Sequence, residues 1–326
     1  MAKKKLNQIS FLFVFATLLV VIGHSDITMD FRELWIFKWV YTFHMPLFFL
    51  VSGFLFAYTN PREKMLELNK NRFLLKKVKR LLLPYVFIGS VIFVIKALFI
   101  KSDQMQHPLT FEWDSYLNML FFHPVGFMWF LPTLFVIFVI FVSMYYLKWN
   151  KYLQMGGVVL CFLLGAIVPD IPFFKISSAV YFSGYFALGI VYCTYKEQVD
   201  NFLKRFRWFI LPVSFLLSAM LIDIALIAAL IGILFSLSLS LTVESRCGKR
   251  VVTLSNYTYT VFLLSYFPQM FIRGPVAHAI PDVNQYVLSA ISFVTGFCIP
   301  VLIGALVVRL KKRNKFIDSC ALLIGL

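Results

Sequence analysis

The chain is dominated by apolar runs of about 20 residues, the length that a helix needs to cross a bilayer, separated by short polar or basic segments. The tract from Trp208 to Val243 is continuous, and we divide it at Asp223 because a charge is costly at the centre of a membrane. The pattern predicts an all-α, polytopic integral membrane protein, a single domain over residues 1–326. Its ten predicted transmembrane helices lie near 6–25, 36–58, 81–100, 127–147, 153–169, 177–195, 208–222, 224–243, 254–272 and 286–309.

The distribution of Lys and Arg predicts the orientation of these helices. With the N-terminus inside, 25 of the 31 basic residues fall on inner segments, and Lys96 lies near the outer end of a span. Inner segments of membrane proteins are enriched in Lys and Arg, so both termini are predicted to be cytoplasmic. The run after Lys3–Lys5 has no A-x-A-like cleavage site, and we expect it to remain as a helix. Outer segments hold five cations, Arg32, Lys38, Lys101, Lys175 and Arg273.

Composition excludes several classes of protein. Hydrophobic residues make up 60% and charged residues 14% of the chain, and the mean hydropathy is +0.83, which suits a chain surrounded by lipid. The net charge of +16 comes from short clusters between apolar runs rather than from a basic module, so membrane lipids are expected partners and nucleic acid is not. The five cysteines show no C-x-x-C spacing, so neither a disulfide framework nor a metal site is predicted.

Two histidines are the first candidates for chemistry. His24 ends the first predicted span, and His44 lies near the outer end of the second. Histidine titrates near neutral pH and can take a proton from a hydroxyl group. The alternative is an interfacial histidine that is bonded to a lipid headgroup or to a backbone carbonyl. Position along the chain leaves both interpretations open.

A basic cytoplasmic segment is the second candidate, and it includes Arg72, Lys77 and Arg80. Such a cluster can anchor the helix on its inner side or bind anionic lipid headgroups. It can also form a pocket for a phosphorylated donor from the cytosol, because clustered Lys and Arg neutralise phosphate charge.

Four short motifs follow one another along the first part of the chain. They are Leu19-Val20-Val21-Ile22-Gly23-His24, then His44-Met45-Pro46-Leu47-Phe48-Phe49 with Ser52-Gly53-Phe54, then Lys77-x-x-Arg80 before Leu83-Pro84-Tyr85, and Met128-Trp129-Phe130-Leu131. In this order they resemble the acyltransferase type 3 family of bacterial membrane O-acyltransferases. The resemblance covers roughly the first 135 residues, and Tyr257–Leu264 resembles a late span of the family.

The resemblance implies transfer of an acyl group, usually acetyl from acetyl-coenzyme A, to a hydroxyl of a cell-surface polysaccharide or glycolipid. The protein would lie in the bacterial inner membrane, with the acyl-coenzyme A donor on the cytoplasmic side and the glycan acceptor at the outer face. His24 matches the family's essential histidine, the general base, and His44 would orient or assist. Lys77 and Arg80, with Arg72, would hold the phosphates of the donor, and no metal is needed.

Two positions depart from the family pattern. Phe13 lies eleven residues before His24, where the family usually has an arginine. The late span reads Ser265-Tyr266-Phe267-Pro268 where the family often has a histidine. Phenylalanine cannot bind phosphate, so another cation replaces the arginine, donor binding is altered, or the usual chemistry is lost.

Two other functions remain open at this stage. A transporter of a polysaccharide or lipid-linked solute would show paired charges or internal repeats, and neither is detected in the sequence. A non-catalytic component of a polysaccharide assembly complex is favoured by the missing basic residue at Phe13, since a shared fold does not establish function.

Overall fold

The computed structural model describes residues 6–26, 33–59, 70–99, 110–144, 151–280, 282–311 and 313–326. The predictions on Lys3–Lys5, on Arg32 and Lys101, and on the basic residues before Lys70 lie outside the described residues. Those that are described form helices and no strand. This confirms the all-α class for that part of the chain.

The helices are numbered here in chain order. Within the described residues, some of them are joined or followed by two π-helical turns, Val78–Leu82 and Ile272–Val276, and by three 3₁₀ turns, Gly126–Trp129, Phe173–Lys175 and Leu322–Ile324. The α-helices are α1 (Asn7–Gly23), α2 (Trp35–Thr59), α3 (Lys70–Lys77), α4 (Leu83–Phe99), α5 (Trp113–Phe121), α6 (Phe130–Met144), α7 (Lys151–Ile167), α8 (Ile176–Thr194), α9 (Lys196–Met220), α10 (Ala225–Leu254), α11 (Thr258–Leu264), α12 (Tyr266–Phe271), α13 (Ala277–Ala279), α14 (Gln285–Leu310) and α15 (Lys315–Ala321).

Several of these helices can cross a membrane. Within the described ranges, six segments are long and apolar enough, and α1 and the segment Met155–Ile167 are shorter apolar helices. The chain is therefore a helical membrane protein, whereas the count of ten and the orientation stay predictions. The six segments are Trp35–Thr59, Asn71–Leu98, Gly126–Met144, Phe173–Thr194, Ala225–Val243 and Gln285–Leu310.

Two predicted spans have a more complex structure than single apolar helices. The run near 208–222 is the second half of α9, which begins in the charged sequence that follows Tyr195. The run near 254–272 is divided among α11, α12 and the start of a π-helical turn. The predicted break at Asp223 is confirmed, because α9 ends at Met220 and α10 begins at Ala225.

The core is built from aliphatic and aromatic side chains between α1, α2, α6 and α8. Helices α2 and α8 approach most closely through glycine, as small residues allow in membrane helices. A Cβ atom on Gly53 would overlap the carbonyl oxygen of Phe186, and one on Gly189 would overlap that of Leu50. The Ser52-Gly53-Phe54 motif is thus a site of backbone-to-backbone contact.

A buried polar network fixes the start of α1 against α8 and α9. The Gln8 amide donates to the Tyr192 hydroxyl at 2.7 Å, and that hydroxyl donates to the Asp200 carboxylate at 2.7 Å. The Lys196 ammonium donates to both the Gln8 amide oxygen and the Asp200 carboxylate. Buried polar groups are tolerated when they are hydrogen-bonded. A shift of α1 along its axis would break these bonds, so the network holds α1 at one position.

Candidate functional site

A cavity of about 540 Å³ lies at the end of the molecule where α1 begins and α2 ends. By the charge pattern, this end is predicted to face the cytoplasm. Among the described residues that line the cavity, Lys77 and Arg80 supply the positive charge. Arg72 is exposed and is not part of the lining. The structure therefore brings together two of the three cations that the sequence predicts for a donor site.

The cavity has a polar mouth and an apolar interior. Hydroxyl and amide side chains near the cations include Tyr58, Thr59, Ser255, Asn256 and Tyr259. Farther along α1, the lining is mainly aliphatic and aromatic, with Phe13, Phe48, Leu134 and Phe262, and Ser10 and Ser52 lie among the lining residues as well. A ligand with an anionic head and a long uncharged arm matches this division.

Among the described residues, Lys77 contacts aromatic rings and no carboxylate. Its ammonium nitrogen lies 3.7 Å from the centre of the Phe138 ring and 5.1 Å from that of Phe73. A cation over an aromatic face is attracted by the ring quadrupole. These two rings therefore hold the amino group on the cavity wall.

Arg80 lies on the π-helical turn Val78–Leu82 that joins α3 to α4. Pro84, four residues later, has no backbone N–H to donate to the Arg80 carbonyl, and the Tyr259 hydroxyl donates to that carbonyl at 2.6 Å. The Arg80 guanidinium carbon lies 6.0 Å from the centre of the Tyr259 ring. The Arg80-x-x-x-Pro84 spacing and a tyrosine from α11 therefore shape the turn that presents this cation. Turns of this kind occur frequently at functional sites.

Phe13 lies on the cavity wall, at the position where the family pattern would place an arginine. Its ring packs edge-on against Phe48, with the ring centroids 6.4 Å apart. The middle of the cavity is therefore apolar at this point, and the positive charge of the described lining lies at the mouth.

His24 lies at the other end of α1, where it caps the helix and its N–H bonds to the Val20 carbonyl at 3.1 Å. It follows Phe13 by eleven residues, or about 16 Å along the helix axis. Its imidazole is partly buried and packs against the rings of Tyr41 and Phe127, with centroid distances of 6.2 and 5.9 Å. His24 does not line the cavity.

One aromatic side chain separates His24 from the cavity. The Phe127 ring lies 5.9 Å from the His24 ring and 5.0 Å from the Phe262 ring, which lines the cavity. Phe127 is carried by the 3₁₀ turn Gly126–Trp129, which begins at a glycine with a left-handed φ of 55°. The two cations and the histidine thus lie at opposite ends of one continuous arrangement along α1.

A group of polar side chains surrounds the end of α1 at His24. Gln269 donates to the Val21 carbonyl at 2.8 Å and to the Ser25 hydroxyl at 3.1 Å. Arg273 donates to the His24 carbonyl at 2.8 Å and forms an ion pair of 2.9 Å with Asp26. This end of the helix is thus bonded to α12 and to the π-helical turn that follows it.

His44 is 3% exposed, and its Nδ1–H donates to the Val40 carbonyl at 2.8 Å. Its ring contacts Tyr41 edge-on at 5.1 Å, and the Tyr41 hydroxyl donates to the Gly23 carbonyl at 2.9 Å. Tyr41 therefore touches both histidines and joins the end of α1 to α2. A bond to a backbone carbonyl was one of the alternatives that the sequence left open. Here it satisfies a ring nitrogen of the buried His44.

Sequence reasoning missed Asp26, Gln269 and Arg273 as neighbours of His24. It treated Arg273 as an outer cation and did not consider Asp26, which is buried and pairs with Arg273. One usable signal was Gln269, an amide within a predicted span, which requires a hydrogen-bond partner. Another was Asp26, an acid directly after the histidine-bearing span.

Comparison with known proteins identifies the family of the chain. A family model described as an acyltransferase domain, that of the acyltransferase 3 family, matches residues 8–310, nearly the whole chain. No curated protein and no solved structure matches the chain. With its apolar helices and a match that includes both ends of the site, the chain belongs to the acyltransferase 3 family and is a membrane acyltransferase.

Proposed function

We propose that this protein is an O-acetyltransferase of the bacterial inner membrane. It would transfer acetyl from acetyl-coenzyme A, bound on the cytoplasmic side, to a hydroxyl of a cell-surface polysaccharide or glycolipid at the outer face. The observation that carries the proposal is that a cavity with cations at its mouth extends to within one aromatic ring of His24.

The donor end of the proposal rests on Lys77 and Arg80. Both line the mouth of the cavity, and coenzyme A carries phosphates that paired cations can bind. The apolar interior beyond them would receive the uncharged arm and the thioester. In the proposed complex, Phe13 contacts this arm. The cations that bind the donor in this protein therefore lie at the mouth of the cavity, and among the described residues none lies at mid-depth, where the family pattern has an arginine.

The acceptor end rests on His24. In the proposed reaction, the acceptor hydroxyl oxygen attacks the thioester carbonyl carbon while His24 takes the hydroxyl proton. The carbon–sulfur bond then breaks, and the proton passes to the departing sulfur, which gives free coenzyme A and an O-acetyl ester. For the thioester to meet His24, Phe127 has to turn aside, since its ring separates the two in this structure. His44 supports this arrangement through Tyr41.

The test compares surface glycans by mass spectrometry from cells that carry the intact protein, His24→Ala, or neither. We expect glycans heavier by the mass of acetyl groups with the intact protein and no such increase with His24→Ala. His278→Ala is the matched control, because His278 is exposed on α13, and it should acetylate normally.

Acetylation at the normal level by His24→Ala would refute the role of His24 as base. Glycans of equal mass but unequal surface amount in the three strains would instead favour a transporter or a component of an assembly complex.

A further inference from the structure

We propose that Arg273 and Gln269 are positioning residues, which hold His24 at the end of α1 in the orientation that the reaction needs. The proposal rests on the proposed function, because it gives His24 the role of base. Neither residue is assigned to the donor site, and both come from a region more than 240 positions away in the sequence.

The end of a helix is the part of it whose position is least determined by its own hydrogen bonds. The last four carbonyls of an α-helix have no partner within the helix, and at a membrane surface water or lipid would usually bind them. Here three of the carbonyls in this region accept from side chains of other segments instead, that of Val21 from Gln269, that of Gly23 from Tyr41 and that of His24 from Arg273. The backbone of the catalytic histidine itself is therefore bonded to another helical element.

Gln269 and Arg273 are four residues apart, so they lie on the same face of a helical segment. Gln269 is 1% exposed. A Cβ atom on Gly296 of α14 would lie 2.8 Å from Gln269 Cγ, so a glycine on α14 leaves room for this amide. The Gln269 side chain is thus fixed between α1 and α14 and cannot easily follow α1 if the end of that helix moves.

The Asp26–Arg273 ion pair supplies the second constraint. Asp26 is 3% exposed, and the Arg273 side chain is 33% exposed. A buried carboxylate needs a charged or hydrogen-bonded partner, so the pair keeps Arg273 at this place. The same terminal nitrogen of Arg273 also bonds to the His24 carbonyl, and it therefore fixes the chain both at His24 and two residues beyond it.

This geometry has a chemical consequence for a general base. The imidazole must come within about 3 Å of the hydroxyl whose proton it takes. A displacement of about 1 Å can reduce a rate about a hundredfold. Loss of the constraints on His24 should therefore slow acetyl transfer and leave donor binding at the far end of α1 unchanged.

The experiment measures two quantities for each full-length variant, the acetyl content of surface glycans and the affinity of the purified protein for acetyl-coenzyme A by calorimetry. Arg273→Met should lower acetylation about tenfold or more, with unchanged donor affinity. Arg273→Lys keeps a charged donor and should recover most of the activity. Arg205→Met is the matched control, because that cation lies on α9 near Phe206, and it should behave as the intact protein does.

Arg273→Met removes the ion pair with the buried Asp26 and can prevent folding, so Gln269→Met provides a second variant that removes no charge. It should lower acetylation severalfold with donor affinity unchanged. Normal acetylation by Gln269→Met and Arg273→Met, in a system where His24→Ala is inactive, would overturn this proposal and leave the proposed function intact. Equal losses in Arg273→Lys and Arg273→Met, or a parallel loss of donor binding, would overturn it as well. Activity in His24→Ala would instead refute the proposed function itself.

Discussion

At the scale of single residues, the two ends of the site hold their charged groups differently. Among the described residues, Lys77 contacts the Phe138 and Phe73 rings and no carboxylate. Near His24, the charges of Asp26 and Arg273 oppose each other in an ion pair. An anionic ligand would therefore be attracted to the end with Lys77 and Arg80, whereas the end with His24 suits an uncharged hydroxyl acceptor.

This difference predicts how the cations contribute to donor binding. A hydrogen bond to a charged group is worth about 1.5–3 kcal/mol. Lys77→Met or Arg80→Met should therefore weaken binding of acetyl-coenzyme A about tenfold or more, measured by calorimetry on the purified protein. Lys79→Met is the control, because Lys79 lies on the same π-helical turn, is exposed and does not line the cavity. Unchanged affinity in the double variant of Lys77 and Arg80 would remove both residues from the donor site.

At the scale of elements, α1 connects the two ends of the site and is fixed along its length. Its start is bonded to α8 and α9 through Gln8, and its end is bonded to α12 through Gln269. Its neighbour α2 is in turn packed tightly on α8. The cavity and His24 therefore keep a fixed separation, and the 3₁₀ turn that carries Phe127 is the element that would have to change in the proposed reaction.

The close contact of α2 and α8 predicts the effect of adding one methyl group. Gly53→Ala or Gly189→Ala should destabilise the protein by about 1–3 kcal/mol or more, because the new atom meets backbone that cannot yield. Thermal unfolding in detergent measures the change as a lower midpoint temperature. Gly156→Ala on α7 is the control, since nothing lies within 4 Å of its added Cβ, and it should be neutral or stabilising by up to about 1 kcal/mol. Equal midpoints in all three variants would contradict the packing argument.

At the scale of the whole molecule, the proposed reaction needs the two ends of α1 on opposite sides of the membrane. The cavity mouth lies beside the basic segment that contains Lys77 and Arg80. The polar group around His24 lies at the end that carries Arg273, an outer cation in the predicted topology. The orientation predicted from the charge distribution is therefore the one that the proposed reaction needs.

Labelling of single cysteines tests this orientation. In a cysteine-free variant, Arg313→Cys is expected to react with a membrane-impermeant maleimide from the cytoplasmic side, and His278→Cys from the outer side. Both positions are exposed in the structure, and so burial would not prevent either reaction. Labelling of both from one side would contradict the predicted topology.

Most of the fold could be predicted because its causes are local. An apolar run in lipid has to satisfy its backbone hydrogen bonds internally, and a single segment can do so by forming an α-helix. The break around Asp223 followed from the cost of a charge at mid-membrane and is confirmed. The run near 254–272 is broken into several short helical segments, which its hydropathy does not predict. Pro268 lies within the last turns of this run, and Pro275 lies in the π-helical turn that follows.

The sequence by itself determined the class of the protein, the family and the residues with suitable chemistry, because hydropathy, charge and short motifs are properties of neighbouring positions. Only the tertiary structure decided which of those residues share a site. It placed Lys77 and Arg80 on the cavity and left Arg72 outside. It also brought Gln269 and Arg273 to the end of α1. These contacts join residues far apart in the chain, so they depend on how the helices pack, and no local pattern encodes that packing.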